Sequence, residues 1–197
     1  MSQPKCIVIW DLDGTLACGK HRLHLMPAPA DRNINQAWNA FNLACPNDAP
    51  ILDNIMLMNS MSAMGYQIVI VTGRSAVAKE QTVEWLDKYN CQFDLLIMRD
   101  ENDNRLDIEF KKEKFDMLNA NGNVLCAFDD LWHVCKAVRS WGITCHQVTH
   151  YEDETSAGKY VSLPQFKGDA DCIGNDEYAY VEGYNQAITE IKELNKC

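Results

Sequence analysis

The chain has 197 residues, 47% of them hydrophobic, and a formal net charge of −10. That length suits one domain with a small insert or tail, and no apolar run approaches the roughly 20 residues of a membrane span. The acidic balance argues against a tight, extended grip on duplex nucleic acid, whose affinity comes from lysine and arginine displacing counterions; a nucleotide or a short nucleic-acid end in a locally positive cleft remains compatible with it.

Residues 6–10, Cys-Ile-Val-Ile-Trp, are an unbroken run of apolar residues and predict a strand buried on both faces, as in a parallel sheet. The run stops at Asp11-Leu12-Asp13-Gly14-Thr15-Leu16. Residues 17–50 depart from the pattern: a basic stretch with His21, Arg22 and His24, then Pro27 and Pro29, then a helix to about residue 44 capped by Asp31 or Asn33. This piece reads as a small lid inserted after the first strand, with Trp38 and Phe41 among its apolar contacts. A helix is predicted over 51–64, ended by Gly65, and a second buried strand over 66–71, delivering Thr72-Gly73-Arg74-Ser75. A helix follows to about residue 90, then a third strand over 93–98.

The polar loop 99–107 leads into a lysine-rich helix over 108–119. Residues 124–128 form another buried strand, ending in Asp129-Asp130, followed by a helix over 131–141 and a last strand over 143–148. Strands alternating with helices in this way predict an α/β fold, a doubly wound parallel sheet. From 151 to 197 the expectation is a loop and a helix over 177–195, either packed on the same domain (1–150) or forming a dimer seam, so a monomer or a homodimer. Nine cysteines, scattered and without a C-x-x-C pair, read as free thiols of a reducing cytosol. The N-terminus runs straight into a strand without a signal-peptide layout. A cytoplasmic protein with no membrane partner is expected.

The chemistry gathers at the strand ends. Asp11 and Asp13 point to the same side of an extended chain. Asp-x-Asp-Gly is also an ordinary turn, but two carboxylates held together repel unless a cation or a shared proton intervenes, and a hard divalent ion such as Mg²⁺ meets that need. Thr72-Gly73 presents a hydroxyl and backbone N–H groups to a phosphate. Asp129 and Asp130 add carboxylates to the same rim. Lys111, Lys112 and Lys114 compete for the role of cation at the transferring phosphoryl group. His21 and Arg22 follow the acidic turn within reach of an anionic substrate.

The string D-L-D-G-T-L behind a buried strand resembles the first motif of the haloacid dehalogenase (HAD) superfamily. With M-G-Y-Q-I-V-I-V-T-G-R-S, M-R-D-E-N-D-N-R-L-D-I-E-F-K and F-D-D, residues 6 to about 149 are similar to the 3′-phosphatase domain of bacteriophage-type polynucleotide kinase/phosphatases. The resemblance implies a phosphomonoesterase working through an aspartyl-phosphate: Asp11 as nucleophile, Asp13 as general acid/base, and Thr72, Gly73, Arg74 and Lys111 around the phosphate. It implies Mg²⁺ held by Asp11, the Asp13 backbone carbonyl and Asp129, with Asp130 supporting. His21, Arg22, Trp38 and Phe41 become candidate substrate contacts. Two departures stand out. Leu131 replaces the arginine many relatives carry, and no G-x-x-x-x-G-K-[ST] loop is present for a kinase half. The expected substrate is a nucleotide or nucleic-acid end, first of all a 3′-phosphate. A soluble 5′-nucleotidase or small-metabolite phosphatase is the alternative among enzymes, and a non-catalytic metal-holding binding protein is the alternative of another class.

Overall fold

The first apolar run becomes strand β1 (Ile7–Trp10), buried at every residue. In this computed structural model, which describes residues 5–120 and 123–148, β1 is the middle of everything that follows. Two short strands, β2 (Ala17–Cys18) and β3 (Ala49–Pro50), pair antiparallel and form the stem of the insert. Between them lie 3₁₀ turns at Lys20–Leu25, Pro29–Asp31, Asn35–Trp38 and Cys45–Asn47, and one short helix, α1 (Asn39–Leu43). The single helix expected up to residue 44 is therefore broken into turns, and neither Asp31 nor Asn33 caps one. Asparagine is a weak helix former because its amide competes for the backbone, and Asn33, Asn35, Asn39 and Asn42 fall within this one stretch.

Helix α2 (Leu52–Ala63) returns the chain to the sheet and buries Ile55 and Met58. Strand β4 (Gln67–Ser75) runs past residue 71, through Thr72-Gly73-Arg74, with a register irregularity between Thr72 and Ser75. Helix α3 (Lys79–Lys88) buries Thr82, Trp85 and Leu86. Then come β5 (Leu95–Arg99), α4 (Asp107–Leu118), β6 (Val124–Asp129), α5 (Trp132–Ser140) and β7 (Thr144–Gln147). These strands and helices lie within a few residues of the expected spans. The helix expected over 177–195 and the loop before it lie outside the described residues.

The sheet order is β5-β4-β1-β6-β7, and every neighbouring pair is parallel. Alternation along β1 sends Val8 and Trp10 to one face and Ile7 and Ile9 to the other. The first face is closed by Ile55, Met58, Trp85 and Leu86 from α2 and α3. The second is closed by Phe110 and Phe115 of α4 and Val134 and Val138 of α5. Connections leave β1 in both directions, so the crevice at its carboxyl end is where an α/β sheet places its ligands. The seven described cysteines are free thiols, and among the described residues no helix is long and apolar enough to cross a membrane.

Candidate active site

β1 delivers Asp11 to the sheet's carboxyl edge while still tied into the ladder, its N–H donating to the Phe128 carbonyl at 2.9 Å. The chain then turns sharply, with the N–H groups of Thr15, Leu16 and Ala17 all converging on the Leu12 carbonyl at 2.9–3.3 Å. Gly14 makes the turn possible in two ways. Its φ of +85° suits a residue without a Cβ, and a Cβ there would collide with the Asp130 carboxylate. The Asp-Gly pair of the motif is thus needed by both backbone and neighbour.

Asp11 is only 7% exposed. Lys111, on the inner face of α4 and 3% exposed, donates from Nζ to Asp11 Oδ1 at 2.9 Å and to Asp129 Oδ2 at 2.7 Å, with Asp107 Oδ2 at 3.5 Å. Burial alone would discharge this ammonium; Asp11, Asp107 and Asp129 outweigh it and hold the pKa well above the usual lysine range. Lys112 and Lys114 instead pair with Asp116 and Glu113 on the surface. The structure thus separates the three lysines.

Burial raises Asp11 well above the ordinary carboxylate range, and Asp129 and Asp130 add to the rise against the opposing charge of Lys111. Asp130 is pushed up to about 7 by burial and by Asp129, and its Oδ1 is buried with no hydrogen-bond partner. An all-oxygen set of neighbouring carboxylates, with Asp11 and Asp130 both raised and one Asp130 oxygen orphaned, fits a hard cation such as Mg²⁺. Among the described residues, no three His, Cys, Asp or Glu side chains already surround a common point. Lys111 bridges Asp11 and Asp129, and the Asp13 side chain turns elsewhere.

Asp13 turns to two arginines. Its Oδ1 accepts from Arg22 Nη2 at 2.5 Å and Arg74 Nη2 at 2.6 Å, and its Oδ2 accepts from Arg74 Nε at 3.1 Å. Burial pushes the carboxyl up, but Arg74 and Arg22 overcome it and hold the pKa below the usual value. Both guanidiniums also reach Asp48: Arg22 through Nε and Nη2 at 2.7 Å each, Arg74 through Nη2 at 3.0 Å. Arg22 has no exposed surface; its remaining Nη1 donates to the Phe41 carbonyl, and its plane lies 4.0 Å from the Phe41 ring. Arg74 Nη1 donates to Thr82 Oγ1 at 3.1 Å. The arginines read as substrate contacts are therefore committed to this chain's own carboxylates, and His21 Nε2 lies 3.0 Å from Asp48 Oδ1.

Asp48 was not legible as a functional residue. Its arginine partners lie 26 residues away in each direction, beyond any local spacing rule. The one clue was an isolated acid between Cys45-Pro46 and Pro50, on a chain whose Arg22 and Arg74 otherwise lacked an evident counter-charge.

Thr72 is buried on β4, its Oγ1 accepting from the Arg74 N–H at 3.1 Å. Next to it, a Cβ on Gly73 would stand 2.6 Å from Asp107 Oδ1, so this backbone is kept bare beside the acid that also accepts from Arg99 at 2.8 Å. Asp11, Asp13, Thr72, Gly73, Arg74 and Lys111 line a single cleft of about 340 Å³. One wall of its mouth is the insert, with Arg32, Trp38 and Phe41; the other is the loop carrying Asp103, Arg105 and Leu106. The two walls are clasped by Asn35, whose N–H donates to Asn104 Oδ1 and whose side-chain amide donates to the Asp100 carbonyl, both at 2.7 Å. Leu131 also lines the cleft.

The model of the polynucleotide kinase PNKP phosphatase domain matches residues 4–152. The chain belongs to this family. Among solved structures, this PNKP-type phosphatase domain is similar to two chains described as the Pnkp1/Rnl/Hen1 RNA repair complex and the Pnkp1/Rnl/Hen1 complex. Identity is 28% in both, with TM-scores of 0.60 and 0.58, covering 75% and 76% of this chain. It spans less than half of each, 44% and 48%. A class C acid phosphatase from Bacillus anthracis with tungstate bound shares the fold at 12% identity and a TM-score of 0.54, over 75% of this chain and 68% of that one. No curated protein sequence matches.

Proposed function

We propose that this PNKP-type domain hydrolyses the phosphomonoester of a nucleotide or nucleic-acid end, first of all a 3′-phosphate, through a phosphorylated Asp11. One observation carries the reading: a buried Asp11 carboxylate, held by Lys111, shares a cleft with Asp13 two residues on and with Thr72-Gly73 across the strand gap. In the first step an Asp11 oxygen attacks phosphorus, the bond to the leaving oxygen breaks, and Asp13 supplies the proton that this oxygen takes up. In the second, Asp13 receives a proton from water as the water oxygen attacks the phosphoaspartate, freeing Asp11 and inorganic phosphate. Asp13 exchanges protons in both steps, so at least one guanidinium must release it during the cycle. Lys111 and the Thr72-Gly73 edge stabilise the phosphoryl oxygens. Mg²⁺ held by Asp11, Asp129 and the Asp13 carbonyl, with Asp130 behind them, would neutralise charge on the transferring group.

Trp38 and Phe41, packed edge to face with ring centres 5.6 Å apart, provide a surface for the nucleoside beside the reacting phosphate. The presence of a similar solved chain in a complex described as one of RNA repair supports a nucleic-acid end as substrate. The test compares kcat/KM for 3′-phosphorylated oligonucleotides, nucleoside 3′- and 5′-monophosphates and sugar phosphates, with and without chelator. Highest values for 3′-phosphates, lost on chelation and restored by Mg²⁺, are expected; a lead for 5′-monophosphates would make this a nucleotidase. Asp11→Asn must abolish turnover, and residual activity within about tenfold of wild type would refute the covalent route.

A further inference from the structure

We infer that Arg32 is the contact for the phosphodiester preceding the terminal nucleotide, and so the residue that makes a polymer end a better substrate than a mononucleotide. The inference rests on the phosphatase reading above.

Five cationic side chains line the cleft: Arg32, Arg74, Arg99, Arg105 and Lys111. Four are committed to carboxylates of the same chain. Arg74 is held by Asp13 and Asp48, Lys111 by Asp11 and Asp129, Arg99 by Asp107, and Arg105 by Asp103 and Glu113. Arg32 makes one hydrogen bond, from Nε to the Pro27 carbonyl at 3.3 Å, and among the described residues no carboxylate pairs with it. Arg32 is exposed, and its guanidinium carries further donors beyond Nε.

Its position suits an oxyanion outside the reaction centre. Arg32 belongs to the insert, on the same cleft wall as Trp38 and Phe41, while Asp11, Thr72 and Lys111 form the floor. The Trp38 indole N–H donates to the Arg32 carbonyl at 3.0 Å. The ring is thereby tied to the backbone of the residue that carries the cation, which sets an aromatic face for a nucleoside near a guanidinium for the phosphate beyond it. A phosphodiester is the anion that a nucleic-acid end presents there, and arginine's planar fork suits it. On a chain of net charge −10, a cation at the mouth with no carboxylate partner among the described residues favours the approach of a polyanion at this edge. One arginine means one contact, so the grip is short.

The experiment compares wild type with Arg32→Ala and Arg32→Lys in Mg²⁺ on three substrates: a 3′-phosphorylated tetranucleotide, a nucleoside 3′-monophosphate and glycerol 2-phosphate. Arg32→Ala should lower the ratio of kcat/KM for the tetranucleotide to that for the nucleoside 3′-monophosphate about tenfold or more, as for loss of a charged hydrogen bond, chiefly through KM. The dependence of log kcat/KM on log salt for the tetranucleotide should lose about one unit of slope, and Arg32→Lys should restore part of both. Equal loss on all three substrates, or an unchanged ratio and slope, overturns the assignment while leaving the phosphatase reading in place. Failure of wild type to hydrolyse any of the three overturns that reading, and this inference with it.

Discussion

Replacing Lys111 by alanine tests the centre of the site. The ammonium is buried and bridges the proposed nucleophile and Asp129 at 2.9 and 2.7 Å. Removing one charged donor from a water-poor reaction centre costs on the order of 10²–10³ in kcat, or about 2.7–4 kcal/mol. It also leaves Asp11 and Asp129 without their shared counter-ion, and breaking a buried pair by deleting one partner is destabilising by about 3–5 kcal/mol. Part of that cost is recovered when the two carboxylates protonate or take a cation. The variant should therefore be nearly inactive, and Mg²⁺ should raise its Tm more than it raises that of wild type. Steady-state turnover of a nucleoside 3′-monophosphate, with melting followed by circular dichroism at several Mg²⁺ concentrations, reads both effects. Lys112 and Lys114 pair with neighbours on their own helix at the surface, so their alanine variants should stay within about twofold of wild type. Equal losses at all three positions would show that the helix offers only a diffuse basic face.

Asp48→Asn removes the buried negative charge facing Arg22 and Arg74, and turns one accepting oxygen into a donor, while keeping its shape. The cost should be about 3–5 kcal/mol and roughly 6–20 °C in Tm, and a shift below about 2 °C would show that the arginines do not depend on it. Gly73→Ala drives a Cβ to 2.6 Å from Asp107 Oδ1; displacement of that acid beside Lys111 should cost on the order of a hundredfold in kcat, with circular dichroism unchanged. Wild-type rates in that variant would mean that Asp107 has no part in holding the floor.

Much of the sheet was legible because parallel strands are buried on both faces and so appear as continuous apolar runs. Ile7–Trp10 and Val124–Asp129 stand out for that reason. The far end of β4 did not, because Gly73 and Arg74 look like a loop and sit in the register irregularity between the flanking pairs Thr72–Met98 and Ser75–Arg99. Asp11, Thr72 and Lys111 could be proposed from strand ends and motif order, and the structure brings them to one cleft. What spacing could not reveal was commitment. Arg22 and Arg74 are expected at the substrate and the phosphate, yet both pair with Asp13 and Asp48, and the pairs that involve Arg22 or Asp48 form only when the insert folds back.

The placement of Asp48 bears on how this fold could be re-engineered. The insert leaves the body at Ala17–Cys18 and rejoins it at Ala49–Pro50, a stem of two residue pairs that invites exchange for another module. Yet Arg22 and Asp48 both lie inside that excursion and supply one cation and one anion to the cluster around Asp13 and Arg74. A transplant cut at the stem would strand Asp13 and Arg74 with half their counter-charges. A working chimera must carry an arginine–aspartate pair at equivalent depths or replace all four residues together, so the insert and the charge cluster beneath it are inherited as one block.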